Sequence, residues 1–332
     1  MSTTTLPPAA SPSHSETPAS SDSELQIPLP TVQSAAAAER QLVLDGFIRR
    51  PLTLKNVDWV VLVWMVAMHV GCLAAPFFFD WRAVAVAVGL HWLTCSIGVC
   101  LGYHRCLSHG SFKLVAPVRF LTTLCGVLSG EGTPLMWSAT HRVHHGRSDH
   151  EGDPHSPKHG VFWSHIGWLF RYRSPEHKQA LYHSYAPDLV RDPLLQFFER
   201  TYMLWLVGFG VVMCAIGGWP LLLWAVCARI TIGYHTTWLI NSASHIWGYR
   251  TYETSDDSRN LWWAGLLAYG EGWHNNHHAW PRIACYAHRW WELDITWQAI
   301  KVLRFLHLAT NIDDRIPPAD AIPPGGSLRA SR

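Results

Sequence analysis

The sequence predicts an all-α integral membrane protein. Four transmembrane helices in two hairpins are expected under a helical cytoplasmic cap that holds a two-metal site. Three observations carry this. Charged residues make up 15% of the 332 residues, against about 25% in a typical soluble domain, and hydrophobic residues reach 48%. Four apolar runs are each near the roughly 20 residues that cross about 30 Å of hydrocarbon. Histidine is abundant, 21 residues against 26 Lys plus Arg, and much of it falls in four clusters. The net charge of +2 speaks against a nucleic-acid partner recruited by bulk charge. The eight cysteines form no CxxC and most lie in apolar runs, as buried small side chains do.

Residues 1–45 are rich in Ser, Thr, Pro and Ala, with Arg40 their first basic residue. They match neither a secretory signal nor a transit peptide, so a disordered tail is expected there and, on similar composition, over 317–332. The membrane domain is expected over 57–312. Its spans are placed at about 58–79, 83–103, 201–218 and 219–240. Asp80-Trp81-Arg82 breaks the first pair and Gly217 to Pro220 the second. A fifth apolar run, Phe120 to Trp137, contains Glu131 and Pro134 and is read as buried or interfacial. The two hairpin tips hold one basic residue, Arg82. The flanks hold Arg49, Arg50, Lys55, Arg105, Lys113, Arg119, Arg142 and Arg147. Positive charge marks the cytoplasmic side. Both tails and the cap (104–200 and 241–312) are therefore expected there, at the plasma or inner membrane in a bacterium.

The clusters are HRCLSH (His104, His109), HRVHH (His141, His144, His145), NSASH (Asn241, His245) and HNNHH (His274, His277, His278). All fall on the expected cytoplasmic side, the first and third at the ends of the second and fourth spans. On a helix, residues i and i+4 lie about 40° apart and i+3 and i+4 about 100° apart. In HxxHH the outer pair can grip one ion while the middle histidine turns toward another. His141 and His145 would share one ion with His144 reaching the second. His274 and His278 would do the reverse, with His277 crossing over. His104, His109 and His245 complete nine imidazoles, too many for one zinc. Ligand type alone leaves iron, copper, nickel and zinc open. Two irons fit best if the task is oxygen activation.

GYHRCLSHGSFK, HRVHHGRSDHEGDPHSP, FWSHIGW, NSASHIWGYR and GEGWHNNHHAWP resemble the membrane fatty-acyl desaturase family. The nearest branch is the stearoyl-CoA and bacterial or cyanobacterial Δ9 type, over about Val57 to Leu308. The resemblance implies four spans, a cytoplasmic cap and a di-iron centre. It implies His104, His109, His141, His145 and His277 on one iron, and His144, His245, His274 and His278 on the other, with Asn241 holding a water there. Trp238 matches a tryptophan near the acyl carbonyl. In the animal acyl-CoA enzymes an Arg-Asp pair precedes the first HxxHH box; here Ala139 and Thr140 stand there, and Gly132 replaces an Asn that contacts the headgroup. The carrier, membrane lipid or CoA, is thereby left open. Arg171 and Arg173 are candidate phosphate contacts or cytoplasmic-side charges near lipid headgroups.

The activity implied is O2-dependent introduction of a cis double bond, of Δ9 type, into an acyl-lipid or acyl-CoA. No side chain removes hydrogen from an unactivated CH₂–CH₂ pair, so the metal centre must, with O2 as co-substrate and two external electrons. There is no fused cytochrome b5 motif and no rubredoxin-type CxxC. The electron donor is therefore a separate ferredoxin or cytochrome b5 type protein with its reductase. Two rivals stand beside this: a related di-iron lipid hydroxylase or oxygenase, and a histidine-rich membrane metal transporter. A transporter should place ionisable groups inside the spans, where only Arg229, His69, His91 and His235 lie.

Overall fold

The computed structural model describes residues 1–4 and 32–323. It is mostly helical, with one two-residue antiparallel pairing of β1 (Lys113–Leu114) and β2 (Ala309–Thr310). Three helical stretches are long and apolar enough to cross a membrane: Trp59–Phe78, Trp81–Ser108 and Pro193–His245. Much of their surface is apolar and exposed; Val60, Leu73, Leu204 and Ile216 each show more than two thirds of their area. Such surface is stable against lipid and a liability in water, so this is a membrane protein.

The third stretch is not one rod. Gly217 (φ −138°, ψ 17°) and Gly218 (φ 61°, ψ −152°) break it inside α8 (Pro193–Leu221), ahead of a π-wound segment leading into α9 (Arg229–Ser242). Twenty residues of straight helix would separate Phe209 from Arg229 by about 30 Å. The Arg229 guanidinium instead sits 5.9 Å from the Phe209 ring, so the chain folds back on itself. The positive φ of Gly218 is the conformation a side chain resists. The break falls at the junction expected from the sequence.

Helix starts follow from capping. Asp58 accepts from Val61 N–H at 3.1 Å ahead of α2 (Trp59–Ala74), and Asp80 from Arg82 N–H at 2.7 Å ahead of α3 (Trp81–His91). Beyond α3 the helix runs on, π-wound, over Trp92–Ser108, five residues past the expected span end. The loop between α4 (Ala116–Leu128) and α5 (Pro134–Arg147) is clamped by hydroxyls: Tyr202 O–H accepts from Gly132 N–H at 3.0 Å and Tyr234 O–H donates to the Gly130 carbonyl at 2.7 Å.

One expectation is corrected. The final third of the segment read as disordered tail is helical: α1 spans Val32–Phe47. Val43, Leu44 and Phe47 are buried in one apolar cluster with Leu181 and Tyr182 of α7 (Pro175–Tyr185) and Val143 of α5. Three apolar contacts on one face outweigh the polar composition around them. The folded unit therefore begins well before residue 57. The tail readings over 5–31 and 324–332 lie outside the described residues.

Candidate metal centre

All nine histidines singled out in the sequence come together, in two groups. One ring nitrogen each from His104, His109, His141, His145 and His277 lies within 4.8 Å of the others; His144, His245, His274 and His278 form a second such group. Closest approaches in the first are 3.0 Å (His104–His277), 2.8 Å (His109–His141) and 2.9 Å (His145–His277), all between Nε2 atoms. In the second they are 3.0 Å (His245–His274) and 3.3 Å (His144–His278).

Each motif reaches its group by a local device. His104 and His109 are five apart, about 140° around an α-helix. The π-winding of this segment bonds i to i+5, and His109 N–H donates to the His104 carbonyl at 3.2 Å, which brings both rings to one side. His141, His144 and His145 ride on α5, which Thr133 and Pro134 start. His274, His277 and His278 ride on the six-residue α11 (His274–Ala279). Asn260 Oδ1 caps it, accepting from Asn275 and Asn276 N–H at 3.0 and 3.2 Å.

Four of the nine rings are oriented by carboxylates through Nδ1. Glu271 holds His104 (2.5 Å), Asp153 holds His144 (2.9 Å), Asp149 holds His245 (2.8 Å) and Asp256 holds His278 (2.6 Å). Burial first, and the neighbouring imidazoles second, hold His109, His141, His145, His274 and His277 well below the usual histidine range. These rings are neutral and carry lone pairs. His278 is lowered to about 4 by burial, against the opposing pull of Asp256. Burial also disfavours charge on His144, but the Asp153 carboxylate outweighs it and raises that ring.

The donor set fits metal ions. When His144 and His278 each give Nδ1–H to a carboxylate, their two Nε2 lone pairs face each other at 3.3 Å. A shared metal ion relieves that. Iron and zinc both accept imidazole.

A cavity opens onto both groups. His104 and His141 of the first and His144 and His274 of the second line it, beside apolar walls from Val99, Cys95, Cys100, Ile240 and Ala268. Asn241, Thr236 and Thr237 line it from α9.

The comparisons with known proteins agree with this chemistry. The fatty acid desaturase family profile matches residues 80–303. The chain belongs to the fatty acid desaturase family. It is 42% identical over 262 residues to an sn-1 stearoyl-lipid 9-desaturase of Anabaena variabilis, covering 78% of this chain and 95% of that one. It is 43% identical over 258 residues to an sn-2 palmitoyl-lipid 9-desaturase of Nostoc sp. (77% and 90%). It is also 38% identical over 292 residues to an acyl-CoA 5-desaturase of Anemone leveillei (84% and 90%). This desaturase is thus an oxidoreductase with a histidine-rich metal-binding arrangement.

The three expected substrate contacts of the desaturase are not on the cavity wall. Trp238 is buried, stacked on Tyr234 at 4.9 Å and edge-on to His165. Arg171 donates to the Ile48 carbonyl at 3.0 Å, and Arg173 to the Trp168 carbonyl at 3.1 Å with its guanidinium 4.7 Å from the Phe47 ring. Both arginines tie the arm after α1 to the segment before α7, and burial lowers Arg173 to about 10. Sequence reasoning missed the carboxylates Asp149, Asp153, Asp256 and Glu271. It also missed Arg105, which is fully buried and pairs with Glu271 at 2.8 Å and Asp294 at 2.9 Å. The available signal was position: Asp149 and Asp153 follow the first HxxHH box by four and eight residues, and Glu271 precedes the second by three.

Proposed function

We propose that this desaturase introduces a Δ9 cis double bond into a saturated acyl chain carried on a membrane lipid, at a centre of two irons. The observation that carries it is one cavity with apolar walls that reaches histidines of both groups. His104, His109, His141, His145 and His277 would hold one iron. His144, His245, His274 and His278 would hold the other, with Asn241 placing a water beside it. Such a centre supplies O2-dependent removal of hydrogen from adjacent unactivated methylenes, O2 ending as two waters and two electrons arriving from a separate donor.

The chain's own residues do the rest. The apolar wall of Val99, Ile240 and Ala268 binds the acyl chain and excludes water from it. The four carboxylates fix the tautomers of His104, His144, His245 and His278, so that Nε2 is the ligating atom. Four spans in two hairpins, with the break at Gly217–Gly218, and a cap on the cytoplasmic face follow from the apolar stretches and the loop charges. A ferredoxin or cytochrome b5 type donor and its reductase would dock on that face. The carrier is assigned to membrane lipid because Ala139 and Thr140 are buried and uncharged where a CoA-binding pair would stand, and because the two cyanobacterial relatives are named as lipid desaturases. Arg171 and Arg173 would sit at headgroup level rather than against the reacting carbons.

Expression in a host lacking Δ9 activity, with mass spectrometry of its lipids and metal analysis of the purified protein, tests this. Δ9 unsaturated chains and close to two irons per chain are expected. A hydroxylated product overturns the reaction assigned. Faster turnover of stearoyl-CoA than of stearoyl-lipid in reconstituted membranes, with acyl exchange blocked, overturns the carrier.

A further inference from the structure

Beyond the imidazoles, the two groups are built unequally. Three carboxylates converge on the four-histidine group: Asp153 on His144, Asp149 on His245 and Asp256 on His278, all buried. Their other hydrogen bonds come from neutral donors. Asp149 accepts from Asp257 N–H and Ser156 O–H, Asp153 from Asp149 and His155 N–H, and Asp256 from Ser258 and Thr254. Among the described residues no lysine or arginine forms an ion pair with any of the three. The five-histidine group has one such carboxylate, Glu271 on His104. Its second oxygen faces Arg105, which it shares with Asp294. Arg105 offsets one of those two negative charges, so the five-histidine group faces one net negative charge and the four-histidine group faces three.

We infer that the four-histidine position holds a divalent ion more tightly than the five-histidine position, reversing the order that ligand count alone suggests. This rests on the two-metal reading above. A carboxylate accepting from Nδ1–H makes Nε2 a stronger donor, and removing such a partner typically costs 10–100-fold in metal affinity. Two more carboxylates on one side are worth about 10²–10⁴-fold. For zinc the fifth imidazole adds little against this, because zinc takes four ligands. Asp149, Asp153 and Asp256 are therefore positioning residues that rank the two sites.

The test uses the full chain in detergent, saturated with Zn²⁺ and then dialysed against rising chelator, with zinc per chain measured by elemental mass spectrometry. Loss in two steps with a plateau near one zinc is expected. Asp256→Asn should shift the tight step by 10–100-fold and shorten the plateau; Glu271→Gln should shift only the weak step. His245→Ala should remove the tight step and His109→Ala the weak one. Where a variant does not fold, anomalous diffraction from the one-zinc form of the unaltered chain locates the retained ion. Two zincs leaving together, or a retained zinc among the five histidines, overturns this inference and leaves the two-metal reading standing. Folded, saturated protein binding fewer than two zincs overturns that reading itself.

Discussion

The motif HxxHH occurs twice in this chain, and the two copies are held in opposite ways. The first sits on the fourteen-residue α5, and the residues between its histidines face outward and inward. Val143 is fully buried, while Arg142 donates to the carbonyls of Leu107 and Ser108 at 2.9 and 2.8 Å and pairs with Asp188. The second sits on the six-residue α11, too short to be stable on its own. Its intervening residues, Asn275 and Asn276, are both fully buried. Asn275 Oδ1 accepts from Thr251 and Tyr252 N–H, and Asn276 Nδ2 donates to the Tyr286 carbonyl and to Glu292. One copy is therefore a helix that carries ligands. The other is a turn of helix that exists because the cap's loops fasten it. Equal spacing in sequence conceals unequal dependence on tertiary structure.

The largest expected effect breaks both copies at their crossing residues. His144→Ala and His277→Ala should each reduce desaturation to background in the lipid profile, because each deprives the opposite box of its bridging partner. His235→Ala, in α9 and bonded to His69 and His165 instead, should keep most activity at comparable folded yield. Equal loss in all three would show that box membership does not matter.

Next, Asn276→Ala should separate the copies. Asn276 loses bonds to Asn260 (2.8 Å), Tyr286 (2.9 Å) and Glu292 (2.9 Å), all buried or partly buried. Groups left unsatisfied cost about 1–3 kcal/mol each, so a loss of roughly 3 kcal/mol or more and of bound metal is expected. Thermal melting with metal analysis reads both.

A smaller effect belongs to the first copy alone. Trp137 stacks on His141 at 5.0 Å and its Nε1–H donates to Glu131 at 3.1 Å, while Thr237 donates to the other oxygen at 2.7 Å. Burial raises Glu131 to about 7. A carboxyl whose folded pKa exceeds its unfolded one, 4.5, favours folding fully below pH 4.5 and loses that contribution as pH rises through 7. The melting temperature should fall over that window, and Glu131→Gln should flatten the fall. An unchanged slope in the variant would mean that Glu131 does not titrate there.

What was legible in the sequence follows from short-range rules. Runs of about twenty apolar residues must meet lipid, and the 40° offset of i and i+4 alone sorted His141 and His145 from His144. Three features were not legible, each for a tertiary reason. The π-winding between His104 and His109 leaves no mark in composition. The pairing of each carboxylate with its ring leaves no such mark: Asp149, Asp153 and Glu271 stand near the boxes in sequence, but how the loops 148–156 and 251–258 close decides which rings Asp149, Asp153 and Asp256 meet. The helix α1 is fixed by Val43, Leu44 and Phe47 meeting α7, within a segment whose bulk composition reads as tail. Trp238 was carried over from resemblance and Arg171 and Arg173 were read as candidate phosphate contacts from their charge; none of the three is on the cavity wall.

The smallest expected effect tests whether α5 stands as an independent helix. Thr133 Oγ1 accepts from Met136 N–H at 3.3 Å, a long bond, and Pro134 at the first helical position has no N–H to satisfy. Losing an N-cap typically costs about 1 kcal/mol, and this geometry puts Thr133→Ala at or below that. In a domain of this size, that lowers the melting temperature by about 2–4 °C or less. Activity and metal content should be unchanged, because Val143, Leu135 and Ala139 still bury the face that holds the box in place. Thermal melting beside lipid analysis checks both. A drop as large as that of Asn276→Ala, or loss of metal, would mean that the first box also depends on its loop rather than its helix. The contrast between the two copies would then fail.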